Sequence, residues 1–306
     1  MSDSALDGSA VGGGPSLGMG SRAARLRSAV RAFVRFSRAS PVNMSATALV
    51  ALVLFAALLG PWLAPHPPDA MSLTERLHPP SSAHPFGTDD YGRDLLSRVI
   101  AGARISIEVV LIVLSLSVGL GTILGAVAGL AGGLADEIIM RVTDLFLAFP
   151  VLILAAAIAA TLGGNLTTTM IALAAVYWPW YARLVRGQVL SLREREYVFA
   201  SRTFGASAWW IIRVHLLPNV MPFVIVQVSL DVGYVILATS SLSFLGLGAQ
   251  APTPEWGAML TDARAFIRDD WWFATFPGMA LATTVFGFNL LGDGLRDWLD
   301  PRLRSR

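Results

Sequence analysis

Long apolar runs alternate with shorter polar segments along most of the chain. Six of these runs carry few or no charged side chains, and each is close to or longer than the roughly 20 residues that a helix needs to cross a bilayer. We place them at residues 44–64, 105–130, 144–162, 166–184, 220–247 and 272–291. Between the third and fourth runs, Gly163, Gly164 and Asn165 predict a tight turn. The pattern predicts an all-α integral membrane protein with six transmembrane helices.

The region before the first run divides into two parts. Residues 1–20 are rich in glycine and serine, so we expect them to be disordered. Residues 21–40 suit an amphipathic helix on an anionic leaflet, or a basic flank that only orients the first span. The two helical faces carry Arg27, Arg31, Arg35 and Arg38, and Leu26, Val30, Phe33 and Val34. Pro61 and Pro65 crowd the end of the first run, which favours a retained helix over a cleaved signal peptide.

Composition and charge agree with a membrane protein. The chain is 54% hydrophobic and 14% charged, whereas a soluble domain carries about 25% charged residues. All 23 basic residues are arginine, and most lie near the two termini and in residues 183–219. Because cytoplasmic loops are enriched in basic residues, we expect a multi-pass protein of the cytoplasmic membrane with both termini and residues 185–219 in the cytoplasm.

Absent residue types exclude several classes of chemistry. Without lysine there is no phosphate-binding loop of the GxxxxGK[ST] kind and no lysine Schiff base. Without cysteine there is no disulfide and no thiolate metal site. Neither GxSxG nor HExxH occurs, which makes an intramembrane hydrolase the weaker class, and a net charge of +2 argues against a nucleic-acid partner. We expect no catalytic, cofactor-binding or metal-binding residue in this chain.

A polar segment, YVFASRTFGASAWWIIRVHLLPN (197–219), separates the fourth and fifth runs. Gly205 can take the left-handed conformation that ends a helix, and Ser207 can cap the next one, which Pro218 would stop. This predicts two short helices joined at a glycine elbow. Exposed Phe199 and Phe204 would then need a groove on another protein. The alternative is an ordinary loop whose aromatic side chains dip into the lipid headgroups.

The spacing of this segment resembles the EAA loop of the membrane subunits of ATP-binding-cassette importers. The first of its short helices docks, in that family, in a cleft of an ATPase subunit. The resemblance implies that the following residues couple this chain to an ATPase: Glu196, Tyr197, Val198, Phe199, Ala200, Ser201, Arg202, Phe204, Gly205, Ala206, Ser207 and Pro218. We call residues 196–218 the EAA-like segment.

Further stretches resemble the branch of that family that serves dipeptides, oligopeptides and nickel. They are HPFGTDDYGRDLLSRVIAGARISI (84–107), SLSFLGLG (241–248), PTPEWGAML (252–260) and GFNLLGDGLRDWLDPR (287–302). The resemblance implies four parts: a cytoplasmic tail (1–43), a first span with an extracytoplasmic loop (44–104), a transport core (105–295) and a cytoplasmic tail (296–306).

The function implied by this branch is import of dipeptides or short oligopeptides by alternating access. The implied partners are a homologous second permease, two ATPase subunits that hold ATP and Mg, an extracytoplasmic binding protein and membrane lipid. Alternatives are a permease for nickel or another metal complex, a secondary transporter driven by an ion gradient, and a scaffold or sensor that binds the ATPase without flux.

Two positions depart from the family pattern. The EAA glutamate falls at Phe199 and the second alanine at Ser201, so Glu196, one turn earlier, is our candidate for the missing charge. A glutamate that usually precedes SLSFLGLG falls at Thr239, and Asp231 is our candidate for part of its role.

An ionisable residue at membrane depth usually faces a cavity or a partner. Asp231 either attracts a substrate ammonium group or, as we favour, pairs with a partner chain or snorkels to the inner surface. The candidate pathway residues are Asp231, Thr239, Ser241, Ser243 and Asn289, although the hydroxyl groups can also bond to their own helix.

The first outer loop carries histidines and carboxylates that nickel or zinc can bind. They are His66, His78, His84, Asp69, Asp89 and Asp90, but their spacing is loose and prolines intervene, so we expect no metal site. A metal cargo would require these histidines. Asp89, Arg93 and Asp94 either tie the loop down or, with Trp256, dock the binding protein.

Overall fold

The computed structural model describes residue 31 and residues 34–299. Within these residues the chain forms helices joined by turns, with no β-strand and one isolated bridge, between Thr88 and Asp94. The all-α prediction is confirmed over this part of the chain. The predictions for residues 1–30, 32–33 and 300–306 lie outside the described residues, and these include most of the arginine-rich pattern near the N-terminus.

Residues 34–38 are helical, and ten α-helices follow them along the chain. They are α1, Pro41–Leu63; α2, Leu95–Ala131; α3, Gly133–Leu147; α4, Val151–Thr161; α5, Leu166–Arg193; α6, Glu196–Thr203; α7, Ala208–Ile211; α8, Leu217–Phe244; α9, Trp256–Ala263; and α10, Trp271–Leu299. A π-helical turn, Ile212–Leu216, lies between α7 and α8, and 3-10 turns lie at Leu73–Glu75 and Arg264–Phe266.

Six spans are not confirmed by the described helices. Four helices are long and apolar enough to cross a membrane: Pro41–Gly60, Leu95–Ala131, Ala208–Phe244 and Trp271–Trp298. The pair α3 and α4 would count as a fifth span if the two bent helices are taken together. The 28-residue helix α5 is long enough to span but does not meet the same criterion of apolarity. A count of six would require both the bent pair and α5.

The third run is not one helix. The apolar runs left residues 131–143 as a connection and placed a span at 144–162, but α3 already begins at Gly133, and α4 turns away from it by 89°. The break lies at Phe149 and Pro150, because proline lacks the N–H that a continuing helix needs and its ring clashes with the preceding turn. The predicted turn at Gly163 and Gly164 is confirmed, since both have positive φ. Asn165 and Thr168 then form a reciprocal capping box on α5.

Two helices begin earlier than the apolar pattern indicates. Residues 95–104, which we assigned to the outer loop, form the first turns of α2, because the Asp94 side chain caps that helix by accepting from the Ser97 N–H. Pro218 was expected to stop the helix that Ser207 starts. Instead it is the second residue of α8, directly after the π-helical turn Ile212–Leu216. The Leu217 N–H bonds back to the Ile212 carbonyl, so the chain stays helical from Ala208 to Phe244.

The core forms where α2 and α5 pack closely together, with α8 against both. Three glycines of α2 line the α5 contact: Gly121, Gly125 and Gly129. A Cβ atom on Gly121 would lie 2.5 Å from the Trp178 carbonyl oxygen and 2.6 Å from the Tyr181 Cβ atom. Small residues thus allow the two backbones to approach each other.

Substitution of Gly121 by alanine should separate α2 from α5. Because the contact is with backbone, which cannot rotate away, we expect a loss of about 1–3 kcal/mol in the free energy of unfolding. Thermal unfolding in detergent measures this loss. Gly119→Ala is the matched control, since a Cβ there has no atom within 4 Å. Equal unfolding temperatures for both variants would contradict the close packing.

A second, smaller core lies at the end of the bundle where α2 and α10 begin. It contains Leu95, Trp256, Met259, Trp272 and Phe273. The proline-rich loop, residues 65–94, folds over this core, and Phe86 of the loop stacks on Phe276 of α10 with ring centroids 3.9 Å apart. α1 packs against α2 and α10, while Leu58 and Trp62 remain largely exposed on its other face.

Candidate functional site

The EAA-like segment has the elbow that its sequence predicts. Gly205 has φ 77°, and the Ser207 side chain accepts a hydrogen bond from the Trp210 N–H. Val198 is fully buried, so it anchors α6 in the main core. Phe199 and Phe204 are 71% and 90% exposed. The segment therefore presents two large aromatic side chains on a support that is itself fixed by packing.

A contact across the elbow joins the two short helices. The Ser201 Oγ and His215 Nε2 atoms are 2.8 Å apart, and the rings of Tyr197 and Trp210 pack around His215. The sequence marked Ser201 as a departure from the family pattern, and it gave no signal that His215, 14 residues later, would be its partner. The contact restrains the angle between α6 and the helix that follows.

Glu196 and Phe199 line one shallow concavity together with Arg193, Glu194 and Arg202. Glu196 is exposed in the first turn of α6. The carboxylate and the aromatic ring thus face the same space. This is the arrangement required if Glu196 supplies the charge that Phe199 lacks.

Asp231 lies inside the bundle and has three hydrogen-bond donors. Its carboxyl oxygens accept from the Tyr177 hydroxyl at 3.0 Å, the Tyr181 hydroxyl at 2.6 Å and the Gln227 side chain at 2.9 Å. Because Asp231 is buried among these donors, the expectation that it snorkels to the inner surface is wrong. Its pairing with a partner chain stays a prediction. Sequence reasoning missed Tyr177 and Tyr181 because they lie on α5, and no motif in the sequence indicates that α5 contacts Asp231 on α8.

The bonds to Asp231 make a stability prediction. Asp231→Leu leaves three donors unpaired, and at about 0.6 kcal/mol for each hydrogen bond inside a membrane protein the loss is about 2 kcal/mol. The triple variant with Tyr177→Phe and Tyr181→Phe should recover about two thirds of this loss, because both sides of the two tyrosine bonds are then apolar while the Gln227 donor stays unpaired. Thermal unfolding of the two variants in detergent tests the expectation. No recovery in the triple variant would show that Asp231 acts through something other than these bonds.

The other pathway candidates do not converge on one site. Ser241 bonds to the Leu237 carbonyl of its own helix, and the Ser243 hydroxyl accepts from the Ala249 N–H. Thr239 is buried, and its hydroxyl has no partner among the described residues. Asn289 is exposed on α10, beside Gly233 of α8. The hydroxyl of Ser241 thus follows the alternative of bonding to its own helix.

Glu255 is a buried carboxyl group that the sequence analysis did not single out. Its Oε1 atom accepts from the Ser240 hydroxyl at 3.0 Å, and its Oε2 atom caps α9 by accepting from the Ala258 N–H. Because Ser240 directly follows Thr239, Glu255 places a carboxylate next to the position where the family pattern has one.

The four residues proposed to dock a binding protein are buried. Asp89 accepts from the Arg93 Nε atom at 2.6 Å and lies 3.5 Å from the Arg98 Nε atom. Asp94 caps α2, and the Trp256 indole donates to the Val99 carbonyl. Burial of Asp89, Arg93 and Asp94 favours the alternative that they tie the loop down. Trp256, buried in the smaller core, has no surface to offer a partner.

These charges belong to a cluster that has more acidic than basic groups: Asp69, Asp89, Asp90, Arg93, Arg98 and Asp262. Burial raises the pKa of Asp90, and the neighbouring Asp89 and Asp262 carboxylates raise it further. The pKa of Asp262 is also raised, mainly by burial. The cluster fixes the proline-rich loop against the start of α2 and α9.

Two family models match the chain. The first, described as binding-protein-dependent transport system inner membrane component, covers residues 121–305. The second, the N-terminal transmembrane domain of oligopeptide transport permease C, covers residues 28–80. Together they include the EAA-like segment, Asp231 and the first span.

Several relatives are similar to this chain over most of their length. A probable D,D-dipeptide transport system permease protein of Escherichia coli (strain K12) is 49% identical over 265 residues, which are 87% of this chain and 89% of the relative. A nickel transport system permease protein of the same strain is 45% identical over 255 residues, 83% of this chain and 92% of the relative. A dipeptide transport system permease protein of Alkalihalophilus pseudofirmus is 45% identical over 232 residues, 76% of each chain.

These matches confirm the resemblance that the EAA-like segment and the four signature stretches indicate. Long apolar helices and a family of inner-membrane components identify a multi-pass protein of the inner membrane. The chain belongs to the family of inner membrane components of binding-protein-dependent transport systems, the permease subunits of ATP-binding-cassette importers.

Proposed function

We propose that this chain is one of two permease subunits of an ATP-driven importer of dipeptides or short oligopeptides. The observation that carries the proposal is the pair Phe199 and Phe204, exposed on a segment that Val198 and the Ser201–His215 contact hold in place. A rigid aromatic surface of this kind fits a groove on a partner protein. The partner is an ATPase subunit that holds ATP and Mg, because this chain has no lysine for a phosphate loop.

The assembly contains this chain, a homologous permease and two ATPase subunits. Both termini and the EAA-like segment face the cytoplasm, as the arginine distribution favours. A binding protein delivers cargo at the opposite face, to the exposed surface of the proline-rich loop and of residues 248–271. Closure of the ATPases displaces α6, and the helix bundle changes the side on which it opens.

Peptides are the favoured cargo because dipeptide or peptide transport stands in the names of several relatives. Nickel is the second candidate, supported by a nickel permease of similar identity. The reconstituted complex in proteoliposomes should take up labelled dipeptide only with ATP, and unlabelled dipeptide should compete. Uptake driven by an ion gradient without ATPase subunits would instead identify a secondary transporter. Binding of the ATPase without any dipeptide uptake would identify a scaffold or sensor.

Glu196 is proposed to supply the missing charge of the EAA position. Glu196→Ala should then uncouple transport from ATP hydrolysis, so that hydrolysis continues while dipeptide uptake falls. The ratio of dipeptide transported to ATP hydrolysed measures this effect in proteoliposomes. Glu194→Ala is the matched control, since Glu194 lines the same concavity but precedes α6. An unchanged ratio in Glu196→Ala would refute the role.

Asp231 remains a candidate for the transport pathway because it lies inside the helix bundle, although its side chain is buried. Dipeptide uptake by Asp231→Asn, which keeps the shape of the side chain, separates the two roles. Undiminished uptake removes Asp231 from the pathway and leaves it as the centre of the hydrogen-bond cluster with Tyr177, Tyr181 and Gln227.

A further inference from the structure

Three metal-ligand side chains meet where the proline-rich loop reaches the first turn of α2. The His84 Nδ1 atom lies 2.9 Å from the Asp94 Oδ1 atom, and the His66 Nδ1 atom lies 3.8 Å from Asp94 Oδ2. The two imidazole rings lie against each other, with centroids 4.8 Å apart. One ligand atom from each residue falls within 4.8 Å of the other two.

These separations are close to those of a metal site. Zinc binds histidine nitrogen and carboxylate oxygen at about 2.0–2.2 Å, so two ligands of a tetrahedral ion are about 3.4 Å apart. The observed 2.9 Å and 3.8 Å lie on either side of that value. The two distances end on different oxygens of Asp94; with one ligand atom from each residue, the three atoms lie within 4.8 Å of one another, so reaching a spacing of about 3.4 Å needs shifts of about 1.4 Å or less.

The surroundings also match the outer shell of a metal site. Ligating histidines usually donate their other ring N–H to a carboxylate, and ligating carboxylates are themselves hydrogen-bonded. The His84 Nε2 atom lies 3.8 Å from the Glu75 Oε2 atom, which is longer than a hydrogen bond, so Glu75 must move closer to accept from this ring. Asp94 Oδ2 accepts from both the N–H and the hydroxyl of Ser97, which fixes its orientation.

His66 supplies the observation that a simple histidine–aspartate hydrogen bond does not explain. Its Nδ1 atom is buried and has no hydrogen-bond partner among the described residues. A buried polar atom without a partner is costly, and a metal ion would satisfy it. Two imidazoles and one carboxylate suit zinc or nickel, whereas calcium and magnesium prefer oxygen ligands.

We propose that His66, His84 and Asp94 bind one divalent late transition-metal ion, zinc or nickel. The ion joins the end of the first span to the start of α2, with Glu75 as the outer-shell partner of His84. This revises the expectation that the outer histidines hold no metal, and it leaves His78 outside the site. The inference stands whether or not the importer carries peptides.

Calorimetric titration of the metal-stripped full-length chain in detergent tests the site. The chain is purified through a tag without histidine and titrated separately with zinc chloride and nickel chloride. We expect one ion per chain for at least one of the two metals, and the ratio of the two affinities identifies which one the site prefers. Glu75→Gln should weaken binding by about 10-fold, as outer-shell changes do.

His66→Ala is the decisive variant, because the side chain is half-exposed and its backbone N–H keeps its bond to Ser97. We expect it to weaken binding by more than about 100-fold, beyond the range of an outer-shell change. His78→Ala, an exposed histidine of the same loop, should bind like the native chain. Bound metal should also slow amide hydrogen exchange at residues 84–97.

Three results would overturn the site. The first is a native chain that binds neither metal at one ion per chain. The second is a His66→Ala chain that binds as the native chain does. The third is binding that leaves hydrogen exchange at residues 84–97 unchanged, which would place the ion elsewhere.

Discussion

Phe204→Ala should abolish stable capture of the ATPase subunits and, with it, ATP-dependent uptake. Phe204 is 90% exposed, so truncation leaves the permease folded while removing an aromatic anchor. Anchors of this kind contribute about 2 kcal/mol or more to an interface, which corresponds to a loss in affinity of about 30-fold or more. Co-purification of the ATPase subunits and dipeptide uptake in proteoliposomes measure the two effects.

Leu73→Ala is the matched control for that variant. Leu73 is 75% exposed and apolar, but it lies in the proline-rich loop at the opposite end of the bundle. It should leave ATPase capture unchanged. Full capture by Phe204→Ala as well would place the docking surface outside the EAA-like segment and remove the main support for the proposed function.

Asp89→Ala should destabilise the permease more than any other single change in the proline-rich loop. Asp89 is fully buried, and its removal leaves the guanidinium groups of Arg93 and Arg98 buried without their shared carboxylate. The N–H groups of Tyr91 and Arg93 also lose their acceptor. Removal of one partner from a buried ion pair costs about 3–5 kcal/mol. Thermal unfolding in detergent and proteolysis of residues 65–94 measure the loss.

Asp69 offers a control within the same cluster. It lies 3.6 Å from the Arg98 Nη1 atom, but its side chain is 60% exposed. Water screens such a pair, so Asp69→Ala should cost less than about 1 kcal/mol. Similar losses for the two variants would mean that burial does not decide the strength of this cluster.

Features set by neighbouring residues could be predicted from the sequence. The elbow at Gly205, the cap at Ser207 and the turn at Gly163 and Gly164 each depend on a few adjacent residues. Pro150 is a signal for the break between α3 and α4, but the residues on both sides of it are apolar, so the pattern was interpreted as one continuous span. Pro218 was misinterpreted because proline ends one helix and is tolerated in the first turn of another. Only the course of the backbone decides between the two.

Contacts between distant residues could not be predicted in this way. Tyr177 and Tyr181 lie about 50 positions before Asp231, and nothing in the local pattern pairs them. The same holds for Ser201 with His215 and for His66 with Asp94. Each pair depends on how helices and loops pack, which a one-dimensional hydrophobic pattern does not specify. The sequence predicted that Phe199 and Phe204 are exposed, and the structure confirms it, but the packing of Val198 and the Ser201–His215 contact that hold them in place came from the structure.

The unbroken helical path from Ala208 to Phe244 has a mechanical consequence. At about 1.5 Å per residue, Asp231 lies about 35 Å along this path from the elbow. No loop interrupts this helical path, so a displacement of the EAA-like segment is transmitted along a continuous helix to the Asp231 carboxyl group. The path has an irregular point at the wide turn Ile212–Leu216 and another at Pro222 inside α8, so these two places set how much of a displacement of the EAA-like segment reaches Asp231.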